Sequence, residues 1–135
     1  MAIQNDPTIP DQAVLLRVLR NDWITKKGGR RRPASFAFFS TQQEVSYFLE
    51  EPGIIAELQR MFPGNEITRV PASVIRKAGF AIGRRPDECP KDFQCDPACH
   101  VVAGPAQEIQ RDELERCARA IARDDSVSII EPQGL

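Results

Sequence analysis

Short apolar runs separated by prolines and glycines recur along the chain, and they limit what its 135 residues can fold into. Each run has the length of a strand and is rich in β-branched, leucine or aromatic side chains, which is typical of strands buried in a sheet. The strands predicted in this way span residues 14–20, 36–39, 66–70, 80–83, 101–103 and 126–130. Residues 45–49 fit a strand and a helix equally well.

Apolar side chains with helical spacing alternate with these strands. One such stripe follows Pro52 and ends before Pro63, and a short second one is closed by Gly79. The apolar face of a third helix consists of Leu114, Cys117, Ala118 and Ile121. At the start of this helix, Asp112 and Glu115 have the spacing of a capping box.

Strands that alternate with helices predict an α+β fold. We expect a single domain over residues 13–131, with a mixed β-sheet of about five or six strands and two to four covering helices, because a chain of this length buries one core. Residues 1–12 are polar and contain two prolines, so they are predicted to form an extended N-terminal arm. Residues 132–135 are predicted to form a tail.

The chain carries 18 basic and 19 acidic side chains, so its overall charge predicts no polyanion partner. The apolar runs are too short to span a bilayer, and the first residues lack the segments of a secretory signal. Four cysteines do not make a dense disulfide framework in a chain of this length. These features predict a cytoplasmic protein without a membrane partner, and they leave its oligomeric state open.

Positive charge is concentrated in residues 17–32, where Asp22 is the one acid. The cations of this segment are Arg17, Arg20, Lys26, Lys27, Arg30, Arg31 and Arg32. Gly28 and Gly29 predict a flexible loop, and forked guanidinium groups suit carboxylate or phosphate. We therefore expect an anion-binding basic loop with Ser35 beside it, although an ordinary solvated loop accounts for the same residues.

The same cations, with Trp23 among them, suggest nucleic acid as another kind of partner. Lysine and arginine neutralise phosphates, and an indole ring can stack on a base. The chain contains one tryptophan and one tyrosine, and its net charge is −1. These features favour a protein partner over a nucleic acid.

A second group of chemically capable residues lies in and after an acidic loop. These are Cys89, Cys95, Cys99 and His100. Thiolates and an imidazole suit tetrahedral zinc, but the spacing contains no C-x2-C pair, and free thiols or a disulfide account for the same residues. No cofactor is therefore expected. His100, the only histidine, follows Asp96 closely and is also a candidate general base or binding residue.

An arginine on a first strand, a serine on a second and a later glutamate occur in an order that resembles ADP-ribosyltransferase-like folds. The matching residues are Arg17 or Arg20, Ser35 or Ser40, and Glu44 or Glu131. The resemblance implies that the arginine holds the ribose and phosphate of NAD, the serine shapes the nicotinamide pocket and the glutamate orients the acceptor. A structural salt bridge at Arg17 and a turn hydrogen bond at Ser35 are the alternatives.

Two phrases of the sequence resemble the R-P-x-S-x-x-F and D-P-x-H-x-x-V pattern of small uncharacterised bacterial proteins. They are Arg32-Pro33-Ala34-Ser35-Phe36-Ala37-Phe38 and Asp96-Pro97-Ala98-Cys99-His100-Val101-Val102, in which the histidine stands one position later. The resemblance extends over residues 15–104 and brings no established activity. It implies a cleft with Arg32 and Ser35 on one wall and Asp96 and His100 on the other.

A nucleophile, a base and an electrophile cannot be assembled from these residues without a choice among alternatives. The sequence therefore favours an accessory or interaction protein that recognises an acidic partner or an anion through its basic loop. An NAD-using enzyme and a zinc-stabilised binding module are the two alternative functions.

Overall fold

A six-stranded antiparallel sheet and a separate two-stranded ribbon form the framework of this chain. The computed structural model describes residues 3–27 and 29–130. The strands are β1 (Val14–Leu19), β2 (Ile24–Lys27), β3 (Arg30–Pro33), β4 (Val45–Leu49), β5 (Glu66–Pro71), β6 (Phe80–Arg84), β7 (His100–Pro105) and β8 (Ser128–Ile130). The helices are α1 (Ile54–Met61), α2 (Ala72–Lys77) and α3 (Arg111–Arg123). The large sheet has the order β6-β7-β4-β1-β5-β8, and β2 pairs with β3.

The predicted α+β class and single domain are confirmed, with six strands in the large sheet and three helices in the described part of the chain. The sheet is antiparallel at every described pairing, so the predicted mixed sheet is wrong in this respect. The reason lies in the connection from β4 through α1 to β5. These two strands run in the same direction, but β1 lies between them and is antiparallel to both.

The central strand β1 is covered on both faces of the sheet. Leu15 and Leu16 point to opposite faces because side chains alternate along a strand, and both are fully buried. Their contacts belong to one apolar cluster that also contains Leu58 of α1, Ile75 of α2 and Ile121 of α3. The helices predicted from apolar spacing therefore contribute to a common core.

Residues 45–49 form strand β4, which resolves the ambiguity between strand and helix. The predicted strand at residues 36–39 is wrong, since Ser35–Phe38 form a short 3-10 turn. In this turn Ala37 and Phe38 are buried, whereas Phe36 is 46% exposed. The turn packs against α3, so an apolar run of strand composition is satisfied by contact with a helix rather than by pairing in the sheet.

The predicted flexible basic loop is a β-hairpin, which we call the basic ribbon and define as β2 and β3. Its register pairs Ile24 with Pro33 and Lys26 with Arg31. The ribbon continues into an additional backbone bond from Ala34 N to the carbonyl oxygen of Trp23, at 2.7 Å. Paired backbone therefore holds the cations of this segment on a defined scaffold.

The N-terminal arm docks on the sheet from residue 3 onward. Ile3 and Ile9 are 2% and 1% exposed. Asp6 N donates to the carbonyl oxygen of Ile82 on β6 at 2.7 Å, and Ile3 lies over Val102 of β7. The residues predicted to form an extended N-terminal arm thus pack on the sheet from residue 3 onward. The predicted tail at residues 132–135 lies outside the described residues.

The start of α3 differs from the predicted capping box. The N-cap residue is Gln110, which makes no side-chain capping bond, and Asp112 lies inside the first turn. There its charge is favoured by the positive end of the helix dipole. Glu115 pairs with Arg111 at 2.9 Å instead of reaching back to the cap.

Among the residues that the structure describes, none belongs to a helix with the length and apolar character needed to cross a bilayer.

Two glycines under the N-terminal arm provide a test of how tightly the arm packs. A Cβ atom at Gly104 would lie 2.0 Å from the carbonyl oxygen of Gln43, whereas one at Gly83 would lie 3.0 Å from that of Gln4 in the arm. We expect Gly104→Ala to lower the free energy of unfolding by about 2–3 kcal/mol and Gly83→Ala by about 1 kcal/mol, since the arm can move more easily. Urea denaturation of both variants measures this difference, and equal losses would contradict it.

Candidate functional site

Two arginines of the basic ribbon bind other parts of the chain. Arg31 forms an ion pair with Glu66 of β5. The Nη2 atom of Arg32 donates to the carbonyl oxygens of Ala122 and Asp124, at 2.9 and 2.8 Å. These carbonyls lie at the C-terminal end of α3, where helical backbone leaves acceptors unpaired and a nearby cation is favoured. The fold thus uses both arginines to attach the ribbon to the sheet and to α3.

The remaining cations of the segment are differently placed. Lys26 and Arg30 have exposed side chains on the ribbon. Arg20 follows β1 with a side chain that is 71% exposed, and its Nε atom lies 3.8 Å from the carboxylate of Asp22. An exposed pair at that separation contributes little to stability. These three side chains therefore have their charge available at the surface.

An open cleft of about 320 Å³ lies beside Arg20, and we call it the Trp23 cleft. Its lining residues are Arg17, Val18, Arg20, Trp23, Ser46, Phe48, Phe62, Asn65, Glu88, Pro90 and His100. Strands β1, β4 and β7 supply its floor, and the residues after α1 and β6 supply much of its rim. The cleft combines aromatic walls with two cations, which is the composition of a binding site rather than of a gap in the core.

Arg17 belongs to both the fold and the cleft. Its Nε atom donates to the carbonyl oxygen of Ala37 at 2.9 Å, and Nη1 donates to that of Ser46 at 3.2 Å. The guanidinium carbon lies 4.9 Å from the ring centroid of Trp23. Burial lowers the pKa of Arg17 from its ordinary value, but a guanidinium group remains a cation at neutral pH.

Trp23 connects the two cations of the cleft. The guanidinium carbon of Arg20 lies 5.7 Å from the same ring centroid that Arg17 contacts. Each contact is of cation–π type, in which the electron-rich face of the indole attracts the positive group. The Trp23 ring therefore holds two positive groups at one wall of the cleft.

His100 lies on the floor of the cleft and is only 3% exposed. Its Nδ1 atom is 2.7 Å from the carbonyl oxygen of Arg85. Because a carbonyl can only accept, Nδ1 carries the hydrogen, and the neutral ring then has its lone pair on Nε2. Phe48 holds the ring edge-on, with 5.2 Å between the centroids. No residue in the described ranges forms a hydrogen bond with Nε2.

Glu88 is the one acid among the lining residues of the cleft, against the two cations Arg17 and Arg20. Its carboxylate lies 3.1 Å from Nη1 of Arg85. The Arg85 guanidinium also pairs with Glu44 at 3.2 Å, and the hydrogen bond to Glu44 is the main reason that the pKa of Arg85 is raised. The two cations on Trp23 therefore give the cleft its positive character.

The residues that resemble an NAD site are not gathered in this cleft. Arg17 and Arg20 line it, but Ser35 and Ser40 are not among its lining residues. Ser40 Oγ instead donates to the carbonyl oxygen of Glu44, at 2.8 Å. Glu131 lies outside the described residues.

The four residues implied by the bacterial pattern are also separated. Arg32 binds the end of α3 and His100 lines the Trp23 cleft, whereas Ser35 lies in the 3-10 turn before Phe39. Asp96 accepts a hydrogen bond from Ala98 N at 2.9 Å, which caps a second 3-10 turn. It lines a different depression, so these side chains do not form the two walls of one cleft.

The predicted zinc ligands are not arranged as a metal site. Within residues 3–27 and 29–130, no three His, Cys, Asp or Glu side chains are grouped closely enough to hold an ion. All four cysteines are free thiols. Burial raises the pKa of the Cys99 thiol to about 12, so the metal-free thiol is protonated at neutral pH. Burial also raises the pKa of Cys89.

A comparison with protein-family models, curated proteins and solved structures finds no match to this chain.

Several residues of the cleft carry no signal in the sequence. Phe62 is the last apolar residue of the α1 stripe, and Asn65 lies shortly after it. In the sequence both residues look like the ordinary end of a helix. Ser46 and Phe48 belong to the segment whose secondary structure was ambiguous. The concentration of cations around Trp23 was the one feature from which this wall of the site could be found.

The double role of Arg17 leads to a stability prediction. Arg17→Leu is expected to lower the free energy of unfolding by about 1–3 kcal/mol, because two carbonyl oxygens lose their donor. Arg20→Leu removes the same charge from the same indole ring, but an exposed position makes the expected change less than about 0.5 kcal/mol. Thermal and urea denaturation compare the two variants. A loss at Arg20 as large as that at Arg17 would contradict a structural role specific to Arg17.

Proposed function

We propose that this protein is a small interaction protein that recognises an acidic segment of a partner protein at the Trp23 cleft. The observation that carries the proposal is the wall in which Trp23 holds the guanidinium groups of Arg17 and Arg20 beside an apolar floor. This arrangement offers a carboxylate two forked donors and offers an adjacent apolar group a place to lose its hydration. The anion recognition that the sequence predicts is thereby assigned to a cleft beside the basic ribbon.

The positions of the charges support a division of roles. Arg17 is fixed by Ala37 and Ser46, so its guanidinium is preorganised next to the cleft. Arg20 is exposed and can move toward a ligand. Lys26 and Arg30 add exposed positive charge on the ribbon, which raises the rate of encounter with an acidic partner and is weakened by salt.

The shape of the cleft favours a segment of a protein over a small free molecule. Sites for small ligands usually enclose 70–90% or more of the ligand surface, at volumes of about 300–1,000 Å³. The Trp23 cleft lies at the lower end of this range and is open to solvent. A protein segment that inserts one side chain and keeps its other residues outside the cleft fits both the small volume and the open shape.

We also propose that the protein is bacterial and cytoplasmic. Four free thiols suit a reducing compartment. The bacterial origin depends on the resemblance of the Arg32-Pro33 and Asp96-Pro97 phrases to proteins of that source.

Binding of a blocked pentapeptide, Asp-Glu-Phe-Glu-Asp, tests this function. We expect a Kd below about 1 mM at low ionic strength, weaker binding at high salt, and no binding of the same peptide with lysine in place of every acid. Arg20→Glu is expected to weaken binding by about tenfold, since a like charge then faces the ligand. Titration calorimetry measures each affinity.

The matched control is Arg119→Glu, which makes the same charge change on an exposed residue of α3 that does not line the cleft. Its affinity is expected to equal that of the unaltered protein. Equal losses in both variants would mean that total charge, rather than the cleft, attracts the peptide. Absence of any binding to the acidic peptide would refute the proposed function.

A further inference from the structure

His100 presents a hydrogen-bond acceptor to the cleft that the chain itself does not use. Its Nδ1–H is donated to the carbonyl oxygen of Arg85, which fixes the neutral tautomer and aims the ring. The Nε2 lone pair then has no hydrogen-bond partner among the described residues, in a residue that is only 3% exposed. A ligand that supplies a donor to this acceptor gains a hydrogen bond inside the cleft.

Some of the donors at the cleft are already bound to backbone carbonyl oxygens. Asn65 Nδ2 donates to the carbonyl oxygen of Leu19 at 2.9 Å. The Nε and Nη1 atoms of Arg17 donate to two backbone carbonyls, of Ala37 and Ser46. Among the described residues none of these donors is hydrogen-bonded to Nε2 of His100, so a ligand can supply one.

The walls of the cleft specify what kind of group carries this donor. Trp23, Phe48 and Phe62 are aromatic residues that line the cleft together with His100, and Phe48 contacts the His100 ring. Aromatic side chains pack well against such surfaces in offset or edge-to-face geometry. A volume of about 320 Å³ accommodates one aromatic side chain that enters from the open side. The donor must lie at the far end of that side chain, because His100 is on the floor.

We propose that the acidic segment is anchored in the Trp23 cleft by a tyrosine, whose phenolic hydroxyl donates a hydrogen bond to Nε2 of His100. This inference rests on the proposed function and adds the identity of the anchoring side chain. A phenylalanine fills the same space without a donor. A tryptophan carries its N–H at the side of the ring rather than at its tip, so it does not present a donor to the floor in the same way.

The carboxylate of Glu88 is the one charged acceptor among the lining residues, and it is already paired with Arg85. Hydrogen bonds from a tyrosine to Glu88 and to His100 make different predictions for variants of these two residues. His100→Phe removes the Nε2 acceptor and keeps an aromatic ring against Phe48. Glu88→Leu removes the carboxylate acceptor and keeps a side chain of similar size.

The experiment compares two blocked peptides, Asp-Glu-Tyr-Glu-Asp and Asp-Glu-Phe-Glu-Asp, that differ in one hydroxyl group. Trp23 is the only tryptophan, so its fluorescence, excited where tyrosine does not absorb, reports on the cleft alone. The tyrosine peptide is expected to bind the unaltered protein about three- to tenfold more tightly, as one net hydrogen bond predicts. In His100→Phe the two affinities are expected to become equal, and in Glu88→Leu the preference is expected to persist.

A second measurement does not depend on a variant that folds. The chain has one histidine, so the ¹⁵N signal of Nε2 is assigned without ambiguity. It is expected to move toward the hydrogen-bonded range when the tyrosine peptide is added, and to stay in place with the phenylalanine peptide.

The possible results separate this inference from the function on which it rests. Equal affinities of the two peptides for the unaltered protein, or a tyrosine preference that survives in His100→Phe, overturn the tyrosine anchor. If Arg20→Glu weakens both peptides in that case, the proposed function stands without it. Binding of neither peptide overturns both. An unchanged Nε2 signal with a bound tyrosine peptide also overturns the anchor.

Discussion

The fold and the candidate site both depend on the contacts that the Arg17 side chain makes. It leaves the central strand β1 and reaches two carbonyl oxygens, one in the 3-10 turn at Ala37 and one on β4 at Ser46. Strands β1 and β4 pair at Leu15 with Leu49 and at Leu16 with Phe48. The bond from the Arg17 guanidinium to Ser46 adds a side-chain contact between the same two strands. A cation in this position needs several partners, because burying an uncompensated charge is costly. The carbonyl oxygens and the ring of Trp23 supply them, and the same arrangement gives the cleft its charge.

Local patterns in the sequence were sufficient to predict the elements whose stability is local. The stripe that becomes α1 and the glycine that ends α2 depend on spacing and on backbone conformation, and Gly79 indeed has a positive φ of 109°. The order of strands was not accessible in this way. Placing β1 between β4 and β5 requires pairing over long separations, which leaves no local signature.

The cationic segment shows most clearly why composition alone misleads. Seven cations in residues 17–32 suggest a surface for anions, yet Arg31 and Arg32 bind Glu66 and the end of α3. Arg32 binds backbone carbonyl oxygens that lie 90 or more residues later in the sequence. A count of acidic side chains cannot reveal partners of this kind. His100 was selected for its chemistry, but its tautomer and its free nitrogen depend on the carbonyl of Arg85, which also has no sequence signature.

The contact between Arg32 and the end of α3 also has a consequence for the order in which the chain acquires its structure. The basic ribbon is attached to carbonyls that exist in this arrangement only after residues 111–123 are helical. Closing such a long loop is entropically expensive and slow. During synthesis on the ribosome, residues 24–33 therefore remain without their final anchor until nearly the whole domain has emerged. The cleft beside them therefore takes its final shape late, when most of the core is already in place.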